Sequence, residues 1–285
     1  MKKRILFVIM VMCTVTICSC GKGETVVSPE TTISVGESNV SEQNETNGKV
    51  DDTLFTWEGN VITGLTEKGA KKENIIIPGR CEGFDGCVFM DASAKVISFE
   101  SDKDIDIHFA FSGAKNLESI ALPDKLTKIP TTAFEGCERL REITFPSTLI
   151  SLESYAFSYC ESLEKVTFKG NQLKEIGEYC FRKCYGLQSI TIPEGVETIK
   201  QYAFTDCSSI TEINLSSTVK NIEKFAFNKT GISEIHFPAD IQFDVMDNSA
   251  FGTVAYTTVV YIAKDSWCDQ NRDKWNIGFK EIKYQ

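Results

Sequence analysis

Apolar residues recur at a fixed spacing through most of this chain, from about residue 88 to residue 254. The most regular position is a phenylalanine preceded by a small residue, and its successive copies lie 23 or 24 residues apart. Further apolar residues follow six, nine and eleven positions after most of these copies. We call them the anchor phenylalanines: Phe111, Phe134, Phe157, Phe181, Phe204, Phe227 and Phe251. Self-similarity at a constant period of this length is typical of repeat proteins whose units stack into a solenoid.

Each repeat predicts one short strand followed by a turn region. In residues 187–192 apolar and polar residues alternate with a period of two, and Pro193 then ends the predicted strand. The stretch that continues to Cys207 predicts one or two helical turns, with Phe204 facing inward. About six buried apolar groups at ~1.5–3 kcal/mol each do not offset the ordering of some 23 residues at ~1–2 kcal/mol apiece. The repeats must therefore stack, with each strand parallel to the next.

The repeat pattern Ile-x-x-x-Ala-Phe-x-x-Cys-x-x-Leu-x-x-Ile-x-Ile-Pro resembles the BspA-type leucine-rich repeats of bacterial surface proteins. The resemblance implies an α/β repeat solenoid, a right-handed superhelix that is capped at both ends. It also implies a parallel β-sheet on the concave face and short helical turns on the convex face. We expect the solenoid over residues 53–254, of which 53–100 form an N-terminal cap and degenerate repeats, and a C-terminal cap over 255–285. Residues 75–77 and 96–99 are predicted strands of the degenerate part.

The N-terminal residues predict secretion and a lipid anchor. Residues 1–19 contain a charged start and a short apolar run, and they resemble a bacterial lipoprotein signal peptide that ends before Cys20. Cys20 is the expected lipid attachment site, although Cys18 stands where such signals usually carry a smaller residue, and an ordinary cleaved signal peptide is the alternative. Residues 20–52 lack aromatic side chains and predict a disordered tether. The expected location is the bacterial cell envelope, with the folded part outside the cytoplasm.

Composition narrows the possible functions. The chain has 30 Lys and Arg against 40 Asp and Glu, a formal net charge of −10, and this acidic balance argues against nucleic acid as a partner. With two His, and without a nucleophile elbow, a P-loop or an HExxH motif, the sequence predicts no enzyme, no metal site and no cofactor. His236 beside Glu234 offers a base and its orienting carboxylate, but no nucleophile matches them. A solvated strand residue is the favoured interpretation of His236.

Cysteine is frequent, with 11 copies in the chain. Four of them share one position, three residues after an anchor phenylalanine: Cys137, Cys160, Cys184 and Cys207. They are interpreted as buried thiols that act as small apolar fillers, with disulfides between neighbouring repeats as the alternative. Cys81 and Cys87, separated by five residues in a glycine-rich loop, are a possible disulfide, and two free thiols are the competing interpretation.

The outward positions of the predicted strands form the candidate partner-binding face. They are Glu142, Thr144, Lys165, Thr167, Ser189, Thr191, Glu212, Asn214, Glu234 and His236. This polar set has two interpretations: residues that suit an exposed strand, or a floor that binds a partner. A second row two residues before the anchors either contacts a partner or packs between repeats: Phe109, Tyr155, Tyr179, Tyr202 and Phe225.

The resemblance implies adhesion to host matrix proteins, to other bacteria or to surface glycans. The leading hypothesis is a non-enzymatic, lipid-anchored surface module whose partner is a protein (host matrix or other cell-surface protein) or a glycan. It touches the membrane through the N-terminal lipid only. The alternative is a structural or accessory envelope lipoprotein that scaffolds the surface machinery of its own cell. The sequence leaves the oligomeric state open.

Overall fold

The computed structural model describes residues 49–275 and 277–285. The predicted signal peptide, Cys20 and residues 20–48 of the predicted tether lie outside the described residues. Within the described part, none of the helices has the length and apolar character needed to cross a bilayer.

Ten short strands follow one another along the molecule, and those that pair with a neighbour in this series do so in parallel. We call this series the front ladder. Its strands are Asn74–Ile77, Val96–Phe99, Ser119–Ile120, Glu142–Phe145, Lys165–Phe168, Ser189–Thr191, Glu212–Asn214, Glu234–His236, Val259–Ile262 and Glu281–Tyr284. The predicted solenoid is confirmed as a stack of about ten turns with parallel strands and little helix. Both strands predicted in the degenerate part are present.

A second parallel ladder, which we call the side ladder, runs beside the first. It consists of six strands of two residues each: Lys128–Ile129, Ser151–Leu152, Glu175–Ile176, Thr198–Ile199, Asn221–Ile222 and Val245–Met246. The second residue of most of these strands is buried. Two residues are too few to show a strand period in the sequence. The sequence pattern therefore predicts these residues as part of the turn region and not as strands.

The helical turns expected around the anchor phenylalanines are not formed. The described α-helices are Glu67–Ala70 and Trp267–Gln270, and the described 3₁₀-helices are Asp52–Leu54, Gly252–Thr257 and Arg272–Lys274. The backbone N–H of Phe157 instead donates to the carbonyl of Cys180 at 2.8 Å, so that these turns are joined from one repeat to the next. Tyr179 and Lys183, on either side of Phe181, have φ of 54° and 60°. A right-handed helix excludes this left-handed backbone, which explains why the helical prediction was wrong.

The anchor phenylalanines form the centre of the core. Adjacent rings are stacked with centroids 5.0–5.5 Å apart, and all of the rings are buried. Phe89 extends this stack by one ring, 5.2 Å from Phe111. It lies 22 residues before Phe111 and follows Val88 rather than a small residue, so the sequence pattern did not include it.

The two ends of the stack differ from its middle. Near the N-terminus, the antiparallel strands Phe55–Glu58 and Val61–Leu65 are joined by the parallel strand Gly83–Phe84. Near the C-terminus, Trp275 is buried and its ring lies 5.6 Å from that of Phe237. The segment predicted as a C-terminal cap also contributes the last two strands of the front ladder.

Candidate binding surface

The outward side chains of the front ladder form a continuous polar surface, which we call the front face. Of the ten residues selected from the sequence, nine are exposed and Thr167 is half-buried. Parallel pairing aligns them in rows, because Glu142 lies opposite Lys165 and Thr144 lies opposite Thr167. The inward neighbours Ile143 and Phe145 are buried, as the period of two requires. The orientation predicted for these strands is therefore confirmed.

At the C-terminal end of the front face, His236 is held by two contacts. Its ring stacks on that of Tyr261, with centroids 4.3 Å apart and an interplanar angle of 2°. Its Nδ1 lies 2.7 Å from Oε1 of Gln285, and Nε2 of Gln285 donates to the carbonyl of Phe237 at 2.9 Å. These contacts give His236 a packing role, and no hydrogen bond joins it to Glu234. Tyr261 and Gln285 extend the front face into the segment that the sequence analysis treated as a cap.

The front ladder opens in the middle of this surface. No strand pairing joins Lys165–Phe168 to Ser189–Thr191 in the described structure, although each pairs with its other neighbour. A cavity of about 380 Å³ lies between these two strands. We call it the slit; its lining consists of Glu164, Lys165, Val166, Thr167, Phe168, Ser189, Thr191 and Pro193.

The slit exposes part of the core. Val166 and Phe168 occupy the two inward positions of their strand, and both are half-buried. The equivalent residues of the preceding strand, Ile143 and Phe145, are 1% and 0% exposed. The slit coincides with a repeat of 24 residues in which Lys169, rather than proline, follows the strand. Sequence reasoning could have used this departure as a signal, but only the structure shows that the ladder parts there.

Four of the five residues of the second aromatic row are half-buried and stack on one another, whereas Phe109 is 40% exposed and lies against His108 instead. Tyr179 lies between Tyr155 and Tyr202, with ring centroids 4.8 and 4.7 Å away, and Phe225 continues the stack 5.3 Å from Tyr202. Stacking uses the faces of these rings, which are the surfaces that a sugar would need. The row therefore stabilises the turns from one repeat to the next, which was one of its two interpretations.

A second groove, of about 480 Å³, lies over the outward side of the side ladder. Its lining is Thr131, Glu153, Ser154, Glu175, Gly177, Glu178, Lys200, Gln201 and Glu223. Nζ of Lys200 lies 3.4 Å from carboxylate oxygens of both Glu175 and Glu223. Of the other two glutamates, Glu153 pairs with Lys128 outside the groove, and Glu178 accepts a hydrogen bond from Nε2 of Gln201. Each carboxylate of this groove therefore already has a partner within the protein.

The cysteine column forms hydrogen bonds from one repeat to the next. The Sγ of Cys137 donates to the carbonyl of Phe111 at 3.2 Å, and the Sγ of Cys160 donates to that of Phe134 at 3.2 Å. Cys184 and Cys207 make the same contact, and all four thiols are free and buried. Burial raises the pKa of Cys160 well above the ordinary value for a thiol. The column thus consists of inert thiols that also satisfy anchor carbonyls.

Cys81 and Cys87 do not form the disulfide considered from the sequence. Cys81 is buried and its Sγ donates to the carbonyl of Gly83 at 3.2 Å, while Cys87 is exposed. Both are free thiols in the structure, and burial raises the pKa of each. The structure thus has the two free thiols that were the competing interpretation. The thiols do not bond to each other because one points into the core and the other points outward.

Residues that could bind a metal are dispersed. Within residues 49–275 and 277–285, His, Cys, Asp and Glu side chains form no group of three or more that is arranged to hold a metal ion. The ring of His108 lies against Phe109, with centroids 4.0 Å apart. Neither imidazole is therefore placed with a set of metal ligands.

Solved structures of other leucine-rich repeat proteins are similar to this chain. A leucine-rich repeat protein from Bacteroides ovatus has a TM-score of 0.54 and 22% identity, and the match covers 79% of this chain and 64% of that one. One from Eubacterium ventriosum has a TM-score of 0.48 and 20% identity, with 63% and 58% covered. This chain thus spans less than two thirds of either protein. A leucine-rich cell surface protein from Faecalibacterium prausnitzii has a TM-score of 0.35 and 16% identity, with 81% and 86% covered.

Comparison with curated proteins gives no match. A family model does match: the BspA type leucine-rich repeat region, in six copies, over residues 67–184, 104–207 and 174–265. These matches cover more than half of the chain and include the front ladder from Asn74–Ile77 to Val259–Ile262. The chain therefore belongs to the BspA-type leucine-rich repeat family.

Proposed function

We propose that this chain is a non-enzymatic binding module of the bacterial cell envelope. It is anchored by a lipid on Cys20 and binds a protein or a glycan through the front face. The observation that supports this function is the front face itself, a surface of exposed polar side chains that extends over five consecutive strands from Glu142–Phe145 to Glu234–His236. Extended surfaces of this kind are what repeat proteins use for binding.

Three added carboxylates test the front face. The purified full-length chain is immobilised and probed with matrix proteins and a glycan array, beside the variant Thr144→Glu/Thr167→Glu/Thr191→Glu. We expect the variant to lose at least tenfold in affinity, because larger side chains replace small hydroxyls in the middle of the surface, and two of them, at Thr167 and Thr191, obstruct the slit. A control with equal added charge on the side ladder, Ser151→Glu/Thr198→Glu/Asn221→Glu, is expected to bind within twofold of the parent. Equal binding by parent and front-face variant would refute the assignment of the face.

The lipid anchor has a separate test. Replacing Cys20 with Ala removes the thiol that would receive the lipid, so the protein is expected to move from the detergent phase to the aqueous phase on phase partition. Cys18→Ala is the matched control and is expected to stay in the detergent phase. Retention of Cys20→Ala in the detergent phase contradicts the proposed anchor.

A further inference from the structure

The slit differs from the rest of the front face because it offers apolar surface. Val166 and Phe168 are half-buried at its floor, whereas Thr167, Ser189 and Thr191 supply hydroxyl groups along its walls. A concave site with an apolar floor and a few convergent polar groups is the usual form of a specific binding site. Its volume of about 380 Å³ accommodates one large side chain.

The main chain beside the slit is also available to a partner. The strands Lys165–Phe168 and Ser189–Thr191 each pair on one side only, so their main-chain groups that border the slit are not joined by strand pairing, although some Cα atoms of the two strands lie within 8 Å of each other. Free strand edges recognise the backbone of an extended peptide through main-chain hydrogen bonds. A glycan has no comparable series of amide donors and carbonyl acceptors.

The charged side chains around the slit favour a partner with positive charge. Glu164 lies in its lining beside Lys165, which is the one cation among the ten selected front-face residues. Glu142 and Glu212 on the two neighbouring strands, and Glu234 one strand further, add negative charge, so that these glutamates outnumber Lys165 and the exposed Lys169 that follows Phe168. The side chains of a basic segment complement this arrangement, because opposite charges across an interface favour encounter and register.

We infer that the slit is the anchoring pocket of the front face, and that it takes a large apolar side chain from an extended, basic segment of a protein partner. The inference rests on the proposed function and makes it more specific, since it selects protein over glycan. The apolar side chain packs on Val166 and Phe168, and the peptide backbone lies across the mouth of the slit, beside the unpaired main-chain groups of its two strands. Lysine or arginine residues of the peptide, next to its apolar residue, face the glutamates of the neighbouring strands.

A displayed library of random dodecapeptides, selected on the purified full-length chain, tests this inference. We expect selected sequences to carry a large apolar residue with lysine or arginine within a few positions. Replacing that apolar residue with serine in a synthetic peptide is expected to weaken binding at least tenfold, and raising the salt concentration is expected to weaken it further. Recovery of acidic or wholly polar peptides, or of no binding peptide, overturns the inference.

Two variants locate the binding. Thr167→Trp fills the slit and is expected to lower peptide affinity at least tenfold. Thr198→Trp places the same side chain on the side ladder, outside the front face, and is expected to stay within twofold of the parent. Circular dichroism checks that both fold, and Ser189→Trp on the opposite wall replaces Thr167→Trp if the latter does not. Equal effects of the slit variant and its control overturn the inference.

The two proposals fail in different ways. If the front-face glutamate variant loses a glycan or a matrix protein that Thr167→Trp still binds, the front face is a binding surface but the slit is not its anchoring pocket. If the glutamate variant keeps all binding of the parent, the proposed function itself is wrong.

Discussion

At the scale of single residues, the anchor phenylalanines explain why the repeats stack so regularly. Neighbouring strands in a parallel ladder lie ~4.8 Å apart, and a slightly offset pair of flat rings needs almost the same separation. The ring of Phe204 lies 5.3 Å from those of Phe181 and Phe227, with interplanar angles of 6° and 2°. Each ring therefore fills the space between two others and has no contact with solvent. One aromatic residue per repeat therefore fills the core and also sets the distance between adjacent repeats.

Truncation of an anchor measures this contribution. Phe204→Ala is expected to lower the free energy of unfolding by ~3–5 kcal/mol, because the cavity is shared by two neighbouring repeats that cannot collapse into it. Tyr185→Ala is the control, since Tyr185 is 39% exposed and its loss is expected to cost less than ~0.5 kcal/mol. Urea denaturation measures both. A small loss for Phe204→Ala contradicts its place in the stack.

The buried thiols give the stability a dependence on pH. The pKa values of Cys160 and Cys184 are raised well above 9.0, mainly by burial, so the folded protein keeps both protons where the unfolded chain releases them. Below the unfolded pKa the two states bind the same protons and stability is unaffected. As the pH rises above it, the free energy of unfolding is expected to fall by up to ~1.4 kcal/mol per pH unit for each thiol.

The variant Cys160→Ala/Cys184→Ala isolates this effect. Urea denaturation between pH 7 and pH 10, with a reducing agent present, is expected to give a shallower loss of stability in the variant than in the parent. Tyrosine and lysine titration is common to both proteins and cancels in the difference. An identical pH slope in the two proteins contradicts the role assigned to the thiols.

At the scale of elements, glycine marks where adjacent turns approach most closely. A Cβ on Gly177 would lie 2.5 Å from the carbonyl carbon of Glu153 and 2.8 Å from the carbonyl oxygen of Leu152. Real Cβ atoms do not approach backbone this closely, so a larger residue must push two turns apart. The sequence shows Gly177 within an otherwise regular repeat, but it does not show which backbone atoms face it.

Gly177→Ala is therefore expected to lower the free energy of unfolding by ~1–3 kcal/mol. Gly83→Ala serves as the comparison, because its Cβ would meet the nearest atom, the carbonyl oxygen of Asp106, at an ordinary 3.5 Å. Its expected effect is within ~0.5 kcal/mol of zero. Thermal or urea unfolding of the two variants gives the test. Similar stabilities would mean that the turn at Gly177 relaxes without cost.

At the scale of the whole molecule, each repeat contacts its neighbours along a single direction. The side ladder and the phenylalanine stack join one repeat to the next, and the front ladder does so except at the slit and between Ser119–Ile120 and Glu142–Phe145. Stability in such a stack is close to a sum of terms for each repeat and terms for each interface between repeats. The effects of two substitutions should therefore depend on whether they share an interface.

Paired substitutions test this additivity. Phe181→Leu and Phe204→Leu alter rings in direct contact, and their effects of ~1–2 kcal/mol each are expected to depart from a simple sum by ~0.5 kcal/mol or more. Phe134→Leu and Phe227→Leu are separated by three rings of the stack, and their effects are expected to add within ~0.5 kcal/mol. Denaturation of the single and double variants measures the coupling. Equal coupling in both pairs contradicts a nearest-neighbour stack.

The repeat, the parallel stacking, the inward anchors and the outward face can all be read from the amino-acid sequence. These follow from periodicity, because a residue type that recurs every 23 or 24 positions occupies the same place in every turn. The pattern found Phe204 and Cys207 as core residues, and it identified Thr144 and Glu212 as outward ones, since a strand alternates its side chains.

The way the chain turns between those positions depends on contacts that form only in the folded protein. The side ladder and the left-handed turns at Tyr179 and Lys183 depend on backbone hydrogen bonds to residues about 23 positions away, which no local pattern encodes. The slit at Val166 is likewise a property of two strands that fail to pair. A repeat pattern predicts the features that all turns share. It does not predict the slit, because the slit forms where one turn differs from its neighbours.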